Sequence, residues 1–101
     1  MWTPIEMFSG GLSDSPSTLY TAPGGTLAVV KEIIILNQEN ADDAGVTISI
    51  RGTPVFHGTI AAGSTLSWPM STVLEAASAI QGQLWEDKLV HIVISGELRD
   101  V

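Results

Sequence analysis

Residues 20–36 read Tyr-Thr-Ala-Pro-Gly-Gly-Thr-Leu-Ala-Val-Val-Lys-Glu-Ile-Ile-Ile-Leu, a short extended piece, a turn and then a long strand rich in Val and Ile. Pro23 presets its own φ for a turn, and Gly24 and Gly25 accept positive φ, so the chain can reverse before Thr26 without strain. The strand that follows is unusual in its alternation. Leu27, Val29, Ile33 and Ile35 are apolar, but so are Ala28, Val30, Ile34 and Leu36, so a period of two leaves no clean solvent face. One face is assigned to a core. The other is expected to meet something else.

The rest of the chain continues in short strands divided by turns. Val46, Ile48 and Ile50 alternate with Thr47, Ser49 and Arg51 and are predicted to point inward. A turn at Gly52-Thr53-Pro54 leads into a strand over 55–60, with Gly58 expected as a bulge or bend. Another turn at Ala62-Gly63-Ser64 opens a strand at Thr65. Residues 79–85 and 88–98 supply two more, and in the last Val90, Ile92 and Ile94 share one face while its other face is again partly apolar. Even spacing of this kind predicts an all-β fold, a single antiparallel sandwich. One short helix is expected near 72–80, because Thr72 and Glu75 have capping-box spacing ahead of Ala76 and Ala77.

Residues 1–17 show neither period, yet they carry Trp2, Met7 and Phe8. Disordered tails are poor in such side chains, so this segment is read as an N-terminal arm that docks on a neighbour, with a loose terminus as the alternative, ahead of a sandwich domain over 18–101. The chain of 101 residues is long enough for one core. It has no cysteine, which removes thiolate chemistry, disulfides and cysteine zinc sites. Its four basic residues, Lys31, Arg51, Lys88 and Arg99, are scattered in a chain of net charge −7, so no nucleic acid is expected as a partner. The start of the chain lacks a basic, then apolar, leader and no run is long enough to span a membrane, so a protein made and assembled inside a cell is expected. Only 15% of residues are charged against 45% hydrophobic, which leaves apolar surface for a homo-oligomer, with a trimer or another closed ring favoured.

No arrangement of catalytic residues stands out. The chain has no Gly-x-Ser-x-Gly elbow, no His-Glu-x-x-His and no phosphate-binding glycine loop. His57 and His91 are read as half-buried sheet residues and not as a base. Glu39, Asp42 and Asp43 form an acidic loop without the register of a calcium loop, and are read as a solvated turn. No cofactor and no metal is expected. Trp68 and Trp85 are read as packing or assembly residues, with a sugar-binding platform as the alternative.

The order of these pieces resembles small bacteriophage virion proteins with a jelly-roll-like sandwich, found as capsid decoration, head-fibre or tail-associated subunits. The resemblance is carried by Thr18-Leu-Tyr-Thr-Ala-Pro-Gly24, by Val29-Val-Lys-Glu-Ile-Ile-Ile-Leu-Asn37, by Gly58-Thr-Ile-Ala-Ala-Gly-Ser-Thr-Leu66 and by residues 89–97, which close on Ile94-Ser95-Gly96-Glu97. After Val73-Leu74-Glu75 the family pattern has an Ala-Gly-Asp turn that this chain lacks. The resemblance implies a non-enzymatic virion subunit, made in the host cytoplasm, whose partners are other virion proteins. The tail and adsorption apparatus is the expected position, because the lead-in looks like an attachment peptide. Capsid decoration or a head fibre is the first alternative, and a module that binds a host-surface glycan or receptor is the second. The expected assembly contacts are Trp2, Met7, Phe8, Trp68 and Trp85.

Overall fold

The computed structural model describes residues 2–100. Eight strands run in chain order: β1 (Thr3–Gly11), β2 (Ser17–Thr21), β3 (Thr26–Asn37), β4 (Ala44–Ile50), β5 (Thr53–Ile60), β6 (Thr65–Leu74), β7 (Ala79–Leu84) and β8 (Val90–Asp100). They form two four-stranded antiparallel sheets, in the orders β1-β8-β3-β6 and β2-β7-β4-β5. Among the seven connections only β4 to β5 joins neighbours of one sheet; the others carry the chain across the sandwich. This interleaving of the first and last strands is the double Greek key of a jelly roll.

The two-faced apolar strand has a structural cause. On β3 the pairing with β8 runs from Val30↔Gly96 directly to Glu32↔Ser95, leaving Lys31 unpaired as a bulge. A bulge shifts the alternation by one, so Ala28 and Val30 point inward before it and Ile33 and Ile35 point inward after it. Both parities are therefore core parities, each for half of the strand. Ile34 and Leu36 remain on the outside, half-buried.

The core follows the expected phase elsewhere. Val46, Ile48, Ile50, Val90, Ile92 and Ile94 are all buried. At the end of β3 one polar residue joins them: Asn37, fully buried, donates to the carbonyls of Ile60 at 2.9 Å and Asp42 at 3.0 Å and accepts from the Glu39 amide at 2.9 Å. Every polar group of that side chain finds a partner, which holds the entry to the 38–43 loop.

Four sequence expectations are corrected. No helix forms near 72–80; β6 continues to Leu74 because its inward positions Met70, Thr72 and Leu74 reach the core, and Leu74 is completely buried. The capping-box spacing is overridden by burial. Residues 3–11 of the expected arm are strand β1, paired along β8 from Thr3↔Leu98 to Gly11↔His91. A bulge between Glu6 and Phe8 breaks the alternation there, which is why no period shows in the sequence. The extra residue on β5 is Val55 and not Gly58, since Ile48↔Phe56 is followed by Ser49↔Pro54. Met7, expected on a neighbour, is a core residue of its own chain.

Candidate functional site

Two outer faces and one open side of the sandwich present the side chains that can act. On the outside of the β1-β8-β3-β6 sheet, register places Ile34 opposite Val93 and Leu36 opposite His91. Val29 lies opposite Val73, which is 46% exposed, and opposite Glu97 on the other side. These residues make an apolar centre along the two middle strands. Charges of both signs surround it: Glu6, Glu32, Glu97 and Arg99 share the outward register and Lys31 projects from its bulge. A shallow depression between Pro4, Glu6, Lys31, Val93, Ser95 and Glu97 lies on this face. Among the described residues, ion pairs within 4.0 Å are made by Lys88 alone, so Lys31 and Arg99 pair with no described carboxylate.

The outside of the β2-β7-β4-β5 sheet is polar, with Thr18, Thr47, Ser49, His57, Thr59, Gln81 and Gln83 in its outward register. At one end stands Trp85, 46% exposed. Its indole lies directly over Gly45, where a Cβ would sit only 2.1 Å from the ring. Indole Nε1 donates to Thr47 Oγ1 at 2.9 Å, and the same hydroxyl hydrogen-bonds His57 Nδ1 at 2.8 Å. The His57 and Trp85 rings stand 4.6 Å apart between centroids at an angle of 37°. Asp43, Thr59, Glu86 and Lys88 line a hollow beside the indole.

The acidic loop acts as a clamp. Asp42 pairs with Lys88 at 3.2 Å, and Glu39 Oε2 accepts from the Leu89 amide at 2.6 Å. The hydrogen bond and the negative charge of Asp42 hold the Lys88 ammonium above its ordinary pKa, so Lys88 stays charged through neutral pH. Among the described residues no three His, Asp or Glu side chains gather as a metal site. The His91 ring hydrogen-bonds Ser9 Oγ at 3.5 Å, and among the described residues no carboxylate hydrogen-bonds it.

The five expected contact residues do not form one surface. Trp2 lies under the guanidinium of Arg99, 5.2 Å from its ring centroid. Met7 and Phe8 pack on the core of their own chain. Trp68 points inward from β6 and meets Phe56 of β5 at 5.9 Å, closing the open side between the sheets, whereas Trp85 faces out from the other sheet. Trp68 and Trp85 therefore share no platform. Gly45, Thr47 and His57, which complete the Trp85 cluster, were missed because they meet only across strands. The available signal was slight: a glycine and a small polar residue at outward positions of a strand that is otherwise aliphatic.

No protein-family profile matches the chain, and no characterised protein matches it by sequence. Solved structures do share its fold. A chain from Bacillus endospore appendages, described as a family of disulfide-linked pili, superposes with a TM-score of 0.57 at 8% identity, covering 100% of this chain and 88% of that one. A chain of the T13 IBDV viral particle superposes at 0.52 with 16% identity, covering 97% of this chain and 30% of that one. A pentameric capsid protein isolated from metagenomic phage sequences aligns at 0.44 with 15% identity, over 97% of this chain and 62% of that one. At such identities what is shared is architecture, and function has to come from the surfaces.

Proposed function

We propose that this chain is a non-enzymatic structural subunit of a virus particle, which assembles with further copies of itself and with other virion proteins through the outer face of the β1-β8-β3-β6 sheet. The observation that carries the reading is the apolar centre of Ile34, Leu36, Val93 and Val29 on the outside of the two central strands. A sheet face of a free-standing sandwich is normally polar on its outer side. The mixed-sign rim decides the occupant. Nucleic acid would want basic side chains without Glu6, Glu32 and Glu97 among them, whereas another copy brings Lys31 and Arg99 to those carboxylates and the carboxylates to its own cations.

The likeness in fold to subunits of a pilus and of a viral particle supports assembly as the role. The reason for preferring the tail was a free attachment peptide, and with residues 3–11 in the sheet that reason no longer applies. The assembly face serves a tail or a capsid exterior equally. A closed ring is the expected product, with the trimer as the order to test first.

The test is sedimentation equilibrium of the wild-type chain and of an Ile34→Glu/Val93→Glu double variant. The wild type should sediment as a closed oligomer and the variant as a monomer with an unchanged unfolding transition, because both side chains lie outside the core. A wild-type monomer at high concentration with no affinity for particles would sink the proposal.

A further inference from the structure

We propose that Trp85, seated on Gly45 and anchored by Thr47, is the stacking platform of a subsite for a neutral saccharide on the outer face of the β2-β7-β4-β5 sheet. The site lies on the other sheet from the assembly face, so it stands independently of the assembly proposal. Three observations lead to it. The side chain is large and apolar, yet Trp85 is 46% exposed although its chain neighbour Leu84 is fully buried. One ring face is spent on the backbone at Gly45, and any side chain at that position would push the ring off. The hydrogen bond from Nε1 to Thr47 then fixes the ring in its plane, and the His57 ring, held by the same hydroxyl, packs beside it at 4.6 Å between centroids. The indole is thus held in place before any ligand arrives, and the ordering cost of binding is already met.

What fits such a surface is decided by its chemistry. The π face is electron-rich and attracts the slightly positive C–H groups that line one side of a pyranose ring. Around it, in the adjoining hollow, stand a hydroxyl on Thr59, carboxylate acceptors on Asp43 and Glu86 and an ammonium donor on Lys88, which suit the hydroxyl rim of a sugar. Asp42, Asp43 and Glu86 against the one cation Lys88 leave the neighbourhood negative. Sialylated or sulfated sugars and nucleotides, which could also stack, are repelled. A quaternary ammonium would need aromatic walls on several sides, and this site offers one indole and one imidazole.

The experiment is a titration followed by 1H–15N correlation spectra of the full chain, with its three indole N–H signals resolved, against oligosaccharides of glucose, galactose, mannose, N-acetylglucosamine and N-acetylgalactosamine. At least one neutral sugar should shift the Trp85 indole and the amides of Gly45 and Thr59 while leaving the Trp2 and Trp68 indoles in place. Trp85→Ala should abolish the response. Because that variant uncovers Gly45 and could unsettle β4, Thr59→Tyr serves beside it, filling the hollow from an exposed strand position opposite Gly45, and it should weaken binding with an unchanged thermal transition. Silence of the Trp85 signal toward every neutral sugar, equal binding by Thr59→Tyr, or a preference for sialylated or sulfated sugars would each overturn the proposal.

Discussion

Two glycines show how differently a single missing methyl can matter. A Cβ on Gly96 would fall 2.2 Å from the backbone oxygen of Val29, beside the Lys31 bulge, and 2.6 Å from Met7 Cε. The central strands cannot move apart to admit it, so Gly96→Ala is expected to cost about 3 kcal/mol or more, as overpacking does in cores, measured by denaturant unfolding. A Cβ on Gly45 runs into the ring face of Trp85, but that side chain is exposed and can move aside. Gly45→Ala should cost about 1 kcal/mol while shifting the Trp85 indole signal, since the ring swings away and loses Thr47. Ala77 gives the opposite case. It holds φ 69°, the left-handed region, in the turn Ala76-Ala77-Ser78. A β-carbon is strained there and glycine is not, so Ala77→Gly should stabilise by about 1 kcal/mol, again read from denaturant midpoints. Asn37→Leu keeps the branched shape but strands the carbonyls of Ile60 and Asp42 and the Glu39 amide; a loss of about 3 kcal/mol is expected.

At the scale of elements, the instructive strand is β1. It pairs with β8 over its whole length and delivers Met7 to the core, with Ile5 and Phe8 packed against it. Deleting residues 1–11 should therefore impair folding itself, lowering the unfolding midpoint sharply and exposing the β8 edge to aggregation. A truncated chain that unfolds like the full one would show that β1 is dispensable. The opposite edge is better protected. Strand β6 carries Pro69, which removes one free amide from an edge that could otherwise pair with another chain. The β4–β5 hairpin turns on Arg51 and Gly52, both at positive φ (53° and 77°), as a two-residue hairpin requires. The Arg51 amide donates to the Ala79 carbonyl and its guanidinium to the Val73 carbonyl, tying the turn to β7 of its own sheet and to β6 of the other.

For the whole molecule, the topology places Thr3 against Leu98 and Thr26 against Asp100, so the first sheet cannot close until nearly the entire chain is gathered. Folding on a timescale of roughly milliseconds to seconds is expected, measured by stopped-flow Trp fluorescence, slower than a helical protein of this length. Features that depend on neighbours in the chain were legible in the residues alone: strands as the building element, the Pro23-Gly24-Gly25 turn, where Gly25 takes φ 75°, and the inward phase of Val46, Ile48, Ile50, Val90, Ile92 and Ile94. These follow from β-branching, turn chemistry and a period of two. Other features depend on partners distant in sequence. The Lys31 bulge is defined against Gly96 and Ser95, the strand identity of residues 3–11 against residues 91–98, and the exposure of Trp85, unlike that of Trp68, by which sheet carries it and which side it faces. A residue's local pattern states that it prefers a pleated, half-buried surface; which surface, and which side of it, is a property of the strands that arrive from elsewhere.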